Sequence, residues 1–109
     1  MDDQIDILSR VRETAQKRVL FLPHALRQML RPDRMISTAE VRSVIEHGEV
    51  IENYPEDTRG ESCLIVGYGE SKRFVHVVCA PKEDYLAIIT VYLPEEGKWS
   101  DAFRVRKKS

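Results

Sequence analysis

The hydrophobic pattern of this chain changes its period at Gly48, and this change constrains the fold more than any other feature. Before Gly48 the apolar residues recur every three or four positions, which is typical of amphipathic helices. After it they alternate with polar residues or form short apolar runs between turns, which is typical of strands. The order predicts an α+β domain, with about three N-terminal helices packed on a four-stranded antiparallel sheet.

The start and end signals of the helices can be read from the sequence. Pro23 suits the first turn of a second helix, and Ser37 followed by Glu40 is a capping-box pattern at the start of a third. We expect Gly48 to end that third helix in the left-handed conformation. The residues expected to face the core are Ile5, Leu8, Val11 and Ala15 in the first helix, Ala25, Leu26, Met29 and Leu30 in the second, and Val41, Val44 and Ile45 in the third.

Four strands are predicted, over residues 49–54, 63–68, 72–79 and 85–93. The third is almost entirely apolar between residues 74 and 78, so both of its faces are expected to be covered and the strand to be central. The whole chain of 109 residues fits one domain. Within it, residues 1–18 form an additional N-terminal helix, residues 20–100 a core, and residues 101–109 a basic tail.

Composition limits the classes of function. The net charge is -1, which argues against a generally basic nucleic-acid binder, although a local patch is compatible with it. Apolar runs are too short for a membrane helix, and the acidic start at Met1 is unlike a secretion signal. Cys63 and Cys79 lack paired spacing and are expected to be reduced core thiols. These features indicate a cytoplasmic protein.

A histidine in the third predicted strand is the first candidate for a functional site. His76 lies within an apolar run, so its imidazole needs a hydrogen-bond partner or lines a cavity. Thr90 and Tyr92 are two residues apart on the fourth strand and therefore share a face. One hairpin register brings the three side chains together, and a slip of one residue separates them. The alternative is a core histidine with ordinary strand-forming neighbours.

Another histidine stands at a helix start. His24 follows Pro23, and a helix N-terminus favours the neutral imidazole that a general base requires. The alternative is a solvent-facing or capping residue. His47 precedes Gly48 at a helix end, where a cation suits the helix dipole, so we do not count it as a candidate.

Cations and one aromatic residue are candidates for contacts with a nucleic acid. Arg27, Arg31 and Arg34 lie on or just after the second helix and could bind phosphate, or form a solvated face. Lys98 and Trp99 offer a charge and a stacking surface. The alternative for Trp99 is that it closes the edge of the core.

No recognisable metal or nucleotide motif is present in the sequence. The three histidines and two cysteines do not have ligand spacing, so we expect no metal site and no cofactor. The glycines of the segment 67–69 indicate a hairpin turn rather than a phosphate-binding loop.

Several short segments, taken in order, resemble a widespread prokaryotic family filed as a domain of unknown function. Its members often lie beside a zinc-finger antitoxin of the YgiT type, and it is similar at fold level to the RelE and MqsR ribonuclease toxins. The resemblance covers about residues 20–100. The segments that carry it are His24-Ala25 with Met29, Arg34-Met35-Ile36-Ser37, 48–55, 64–67, His76-Val77-Val78, Thr90-Val91-Tyr92-Leu93-Pro94 and Lys98-Trp99.

The resemblance implies a metal-independent endoribonuclease that uses the RNA 2′-hydroxyl as nucleophile, with RNA and a small antitoxin as partners. His24 and His76 would be the base and acid. Tyr92 would be a proton donor or stacking surface, and Thr90 a positioning hydroxyl.

Two arginines complete the set that the resemblance implies. Arg34 and Arg73 would stabilise the charged phosphate. Pro32-Asp33 lengthens the interval between Met29 and Arg34 relative to the family pattern. Arg73 is three residues before His76, so it points to the opposite face unless a bulge intervenes.

The alternative to an enzyme is a non-catalytic interaction module. In that case the sheet is a binding face, His76 is a hydrogen-bonded core residue, and the acidic stretch 49–57 is an edge that faces a partner.

Overall fold

A computed structural model of the protein describes residues 6–107, in which helices precede a sheet. The helices are α1 Ile7–Lys17, α2 Pro23–Met29 and α3 Thr38–His47, with a short 3-10 turn at Glu70–Lys72. The strands are β1 Val19–Phe21, β2 Glu49–Tyr54, β3 Ser62–Tyr68, β4 Phe74–Pro81, β5 Leu86–Tyr92, β6 Trp99–Ser100 and β7 Val105–Arg106. The predicted α+β class is confirmed. Ile5, predicted to face the core, lies outside the described residues.

The main sheet is mixed and five-stranded, so the predicted four-stranded antiparallel sheet is wrong in detail. Its order is β1-β5-β4-β3-β2, and β1 pairs with β5 in parallel. The remaining neighbours are antiparallel, and β4 lies in the middle, as its apolar sequence predicts. The segment Val19–Phe21 is too short to show an alternating pattern, which is why it was not expected to be a strand.

The helices share a core with one face of the sheet, which we call the inner face. The capping box at the start of α3 is confirmed, because Ser37 Oγ accepts from the Glu40 N–H at 3.0 Å and Glu40 Oε1 accepts from the Ser37 N–H at 3.1 Å. Cys63 and Cys79 are buried free thiols at paired positions of β3 and β4. The buried helical residues are Ile7, Val11 and Thr14 of α1, Ala25 and Met29 of α2, and Glu40, Val41, Val44 and Ile45 of α3.

Two predicted core positions of α2 are wrong. Leu26 and Leu30 lie on the solvent side and are 39% and 64% exposed. The helix is only seven residues long and packs with Ala25 and Met29, so one narrow stripe is enough to attach it.

The opposite face, the outer face, lies under a second small sheet. The segment predicted as a basic tail contributes to a hairpin as far as residue 107, in which β6 pairs with β7. We call residues 94–107 the C-terminal hairpin. Asp101, Ala102 and Phe103 in its turn have φ of 54°, 57° and 66°. This left-handed conformation costs an L-residue roughly 1–2 kcal/mol.

None of the helices between residues 6 and 107 has the length and hydrophobicity needed to cross a membrane.

Gly48 is required for close packing rather than for a left-handed turn. Its φ is -85°, so the predicted left-handed C-cap is wrong. A Cβ at this position would lie 2.5 Å from both the Val44 and the Val66 carbonyl oxygens. The chain therefore passes from α3 into β2 at a point where only a hydrogen atom fits.

We expect Gly48→Ala to destabilise the fold by about 1–3 kcal/mol, because backbone atoms must move to admit the methyl group. Urea unfolding followed by circular dichroism measures this. Gly97→Ala is the matched control, since an added Cβ there meets no atom within 4 Å, and it should change stability by less than about 0.5 kcal/mol. Equal effects of the two substitutions would contradict the packing argument.

Candidate functional site

A β-bulge brings His76 and Tyr92 to the same position on the outer face. At the start of the β4–β5 pairing Cys79 lies opposite Ile88, but further along Val78 lies opposite Thr90. Ile89 is therefore the extra residue, and beyond it His76 lies opposite Tyr92. Without this shift Tyr92 would face the opposite side of the sheet from His76.

The imidazole of His76 is fully buried and has a partner on each nitrogen. Its Nδ1 is 3.1 Å from the Tyr92 hydroxyl, and its Nε2 is 2.9 Å from the Phe103 carbonyl oxygen. A carbonyl only accepts, so Nε2 carries the proton in the neutral ring. Nδ1 is then the acceptor, and the Tyr92 hydroxyl donates to it. The contacts thus select one tautomer and one direction of hydrogen bonding.

The surroundings keep this pair uncharged at neutral pH. Burial lowers the pKa of His76 to about 4, against the opposing effects of the Phe103 carbonyl and the Glu52 carboxylate, while the charge of Arg106 lowers it further. Burial also raises the pKa of Tyr92. A neutral imidazole beside a neutral phenol is the state expected from desolvation.

Aromatic and charged side chains enclose the pair from the C-terminal hairpin and from β2. The Trp99 ring meets the His76 ring edge to face at 4.4 Å between centroids, and the guanidinium of Arg106 lies 4.7 Å from the Trp99 centroid. Arg106 also donates to both carboxylate oxygens of Glu52, at 2.7 and 3.1 Å. The Tyr54 hydroxyl donates to Glu52 as well. The sequence does not mark Glu52 or Arg106 as site residues, because one belongs to an ordinary alternating strand and the other to a basic terminus.

The predicted base-binding residues have different surroundings. Trp99 is 5% exposed and closes the outer face, so its ring is not free for stacking in this arrangement. Lys98 is exposed and pairs with Glu95 at 3.6 Å. Thr90 is half-buried on the outer face, two residues from Tyr92 along β5.

His24 lies at the edge of the sheet rather than in contact with His76. The chain enters α2 where the Leu22 N–H donates to the Ile88 carbonyl, and Gln28 Oε1 accepts from the Val91 N–H at 2.9 Å. The helix therefore runs along the edge of β5 towards Tyr92. His24 is one helical turn before Gln28 and shares its side of α2. It is exposed, and His76 bonds to other partners.

Arg73, which was predicted to stabilise phosphate, lies just before β4 and makes structural contacts. Arg73 donates to both oxygens of the buried Glu40 carboxylate, at 2.8 and 3.0 Å, and to the carbonyls of Arg34 and Met35 at 2.9 and 3.1 Å. It lies towards the helices, as its spacing from His76 indicates. The Arg34 side chain is mostly buried, 3.9 Å from Asp33. Neither guanidinium adjoins the His76–Tyr92 pair through these contacts.

Glu40 has a second function that its sequence position did not reveal. Burial alone would raise the pKa of its carboxyl. The bonds from Arg73 and from the Glu70 and Ser37 N–H groups, with the charge of Arg73, outweigh burial and lower the pKa. Glu40 therefore joins the start of α3 to the turn before β4, in addition to capping its own helix.

Between residues 6 and 107, no three His, Cys, Asp or Glu side chains cluster closely enough to hold a metal ion.

The fold and this buried pair define a small α+β domain with an imidazole–phenol pair on the face of its sheet that the helices leave open. The family model described as "Domain of unknown function (DUF4258)" matches residues 21–93, and the chain belongs to this family. The match covers α2 to β5 and ends before the C-terminal hairpin. No curated protein and no solved structure matches the chain significantly.

We expect His76 to make stability depend on pH between about 6.5 and 4. In this range the unfolded chain binds a proton that folded His76 does not bind, because its pKa is depressed to about 4. Stability should therefore fall as pH falls, by on the order of 3 kcal/mol in total, and this loss should level off below pH 4.

Urea unfolding at half-unit pH steps, compared with His76→Gln, isolates this effect. The free energy of unfolding of the wild type should fall by on the order of 3 kcal/mol more than that of His76→Gln between pH 6.5 and 4. Equal slopes for the two proteins between pH 6.5 and 4 would contradict a neutral, buried His76.

Proposed function

We propose that the protein is a metal-independent endoribonuclease of toxin type that acts in the cytoplasm and is neutralised by a small zinc-finger antitoxin. The observation that carries the proposal is the His76–Tyr92 pair on the outer face, in the middle strand of the sheet. Two proton-transferring groups joined by a hydrogen bond are suited to acid–base chemistry. The substrate class is part of the proposal and comes from the similarity to RelE and MqsR toxins expected from the sequence segments.

The edge of β5 supplies the remaining groups. His24 lies on the side of α2 that carries Gln28, and Gln28 contacts the backbone of β5. Arg31 follows the helix and pairs with the exposed Asp33 at 3.3 Å. Thr90 lies on the outer face of β5, two residues before Tyr92, and is half-buried. An RNA strand that crosses the outer face near Tyr92 would thus meet an exposed imidazole, a hydroxyl and a phenol.

The reaction assigned to these groups is an internal transesterification. His24 takes the proton of the 2′-hydroxyl, the 2′-oxygen forms a bond to phosphorus, and the bond from phosphorus to the 5′-oxygen breaks. His76, in its protonated form, gives its proton to the 5′-oxygen. The products are a 2′,3′-cyclic phosphate and a 5′-hydroxyl. Arg31 is the candidate to stabilise the charge on phosphate, since its ion pair with Asp33 is exposed whereas Arg73 is bound to the buried Glu40.

Purified protein should cleave single-stranded RNA in EDTA and leave a 2′,3′-cyclic phosphate. His24→Ala and His76→Ala should each reduce the rate by about a hundredfold or more, because each removes a proton-transfer group. Tyr92→Phe should also reduce the rate, because it removes the hydroxyl that bonds Nδ1 of His76. Tyr92→Phe removes a single oxygen, so it tests the pair even if His76→Ala folds poorly.

His47→Ala is the matched control, since His47 is an exposed histidine at the end of α3 and outside the proposed site. It should retain full activity. Wild-type cleavage rates in both His24→Ala and Tyr92→Phe would exclude the assignment.

A non-catalytic interaction module is the second candidate, and one observation favours it. His76 is fully buried and both of its nitrogens are satisfied, as in a core residue with a purely structural role. In this case the protein does not cleave RNA, and His76→Ala lowers only its stability. Expression of the protein alone does not slow growth. Growth arrest on expression, relieved by Tyr92→Phe, would exclude this candidate.

A further inference from the structure

The C-terminal hairpin is bonded to itself rather than to the main sheet. Its strands form a separate sheet, β6 with β7. In the described chain, the other backbone hydrogen bonds of this segment also join residues of the hairpin to one another. They run from Lys98 to Glu95, from Arg104 to Ser100 and Asp101, and from Lys107 to Lys98. Strands of two residues are short, and an isolated two-stranded hairpin is marginally stable in water. The hairpin can therefore leave the outer face without breaking a backbone bond of the main sheet.

Side-chain contacts hold the hairpin in place. Arg104 donates to Glu49 at 2.8 and 3.4 Å, and Arg106 donates to Glu52, so two ion pairs attach it to the edge strand β2. Phe103 lies 5.0 Å from Phe74 between ring centroids. Since Arg104 and Glu49 are both substantially exposed, their attraction is screened by salt and contributes little to overall stability.

The hairpin occupies the one atom of His76 that the proposed reaction needs. Nε2 bonds to the Phe103 carbonyl, and Trp99 packs against the ring. The family match ends at residue 93, so the segment that closes the site lies outside the matched region.

We propose that the C-terminal hairpin is an intramolecular cover that closes the His76–Tyr92 site and that its opening controls access of RNA. This inference rests on the proposed nuclease function for its biological meaning, but the movement itself can be measured without RNA.

Opening changes the charge of the site as well as its access. The groups that face His76 are Tyr92 from β5, Glu52 from β2 and Arg106 from β7. When the hairpin leaves, Arg106 leaves with it and Glu52 remains, while water reaches the ring. The entry of water and the loss of Arg106 raise the pKa of His76, whereas the loss of the Phe103 carbonyl lowers it. Burial is the largest cause of the depressed pKa, so opening favours the protonated imidazole that the reaction requires.

The turn of the hairpin works against closure. Asp101, Ala102 and Phe103 are left-handed in the closed form. An isolated two-stranded hairpin is only marginally stable, so this conformation is relieved when the hairpin leaves the outer face and its turn opens. Such residues persist where surrounding contacts enforce them, so part of the contact energy of the closed form is offset by this conformation. The balance between open and closed forms can therefore be shifted by a single substitution in either direction.

Modification of histidines by diethyl pyrocarbonate, mapped by mass spectrometry on the full chain, tests the cover. His24 and His47 are exposed and serve as internal references, while His76 reacts only when the hairpin opens. Arg104→Glu and Glu49→Arg break the same ion pair with opposite changes in net charge. Both should speed the modification of His76 about threefold to tenfold relative to the references, and the double exchange E49R/R104E should restore the wild-type rate.

Ala102→Gly should act in the opposite direction. Glycine adopts the left-handed conformation without steric cost, so this variant should slow the modification of His76 by about twofold to fivefold. The wild-type rate should be insensitive to low concentrations of urea, because a local opening exposes little surface.

The outcomes separate this inference from the proposed function. If Arg104→Glu and Glu49→Arg leave the modification rate of His76 unchanged, or if the double exchange does not restore it, the cover is excluded. If His76 becomes reactive in both single variants while RNA stays intact, the cover stands and the nuclease is excluded. Faster cleavage by both variants, despite their opposite charges, supports both.

Discussion

The pairing of β4 with β5 shifts by one residue at Ile89, and the two faces of the sheet depend on this shift. Ile88, before the bulge, and Val91, after it, both face the helices, although they are three positions apart. In a regular strand two residues an odd number apart face opposite sides. The extra residue keeps the inner face apolar along the whole strand and leaves Tyr92 opposite His76. One backbone irregularity thus serves the core and assembles the candidate site together.

A second constraint fixes the helices relative to the sheet. Glu40 is buried at the start of α3, where it accepts from its own capping residue, from the Glu70 N–H and from Arg73. A carboxylate without these partners would be costly to bury, so α3 and the entry into β4 must come together for any of these bonds to form. Because Arg73 is held there, it cannot bind phosphate on the outer face at the same time. The proposed catalytic assignment therefore rests on His24 and His76 rather than on Arg73.

The sequence predicted the features that depend on a repeating pattern. Three features were predicted because several residues together indicate one local structure. They are the change of period at Gly48, the capping box and the apolar stretch of β4. The parallel strand β1 has three residues, too few to show a period. The bulge at Ile89 carries no glycine or other marker, so the convergence of His76 and Tyr92 could be stated only as one of two registers. The C-terminal hairpin was missed because the left-handed turn of Asp101, Ala102 and Phe103 contains no glycine to mark it.

The closed hairpin and the proposed reaction make opposite demands on His76. A general acid must hold a transferable proton at neutral pH, whereas the closed site desolvates the ring and places Arg106 beside it, so that the ring stays neutral. Glu52 connects the two states, because its carboxylate is bound to Arg106 while the hairpin is closed and faces His76 when the hairpin has left. On the proposed opening, the displacement that admits a substrate also favours protonation of the imidazole. A purely structural histidine does not require its protonation to depend on the position of the hairpin. The arrangement therefore favours the proposed site, whose access and charge both depend on the C-terminal hairpin.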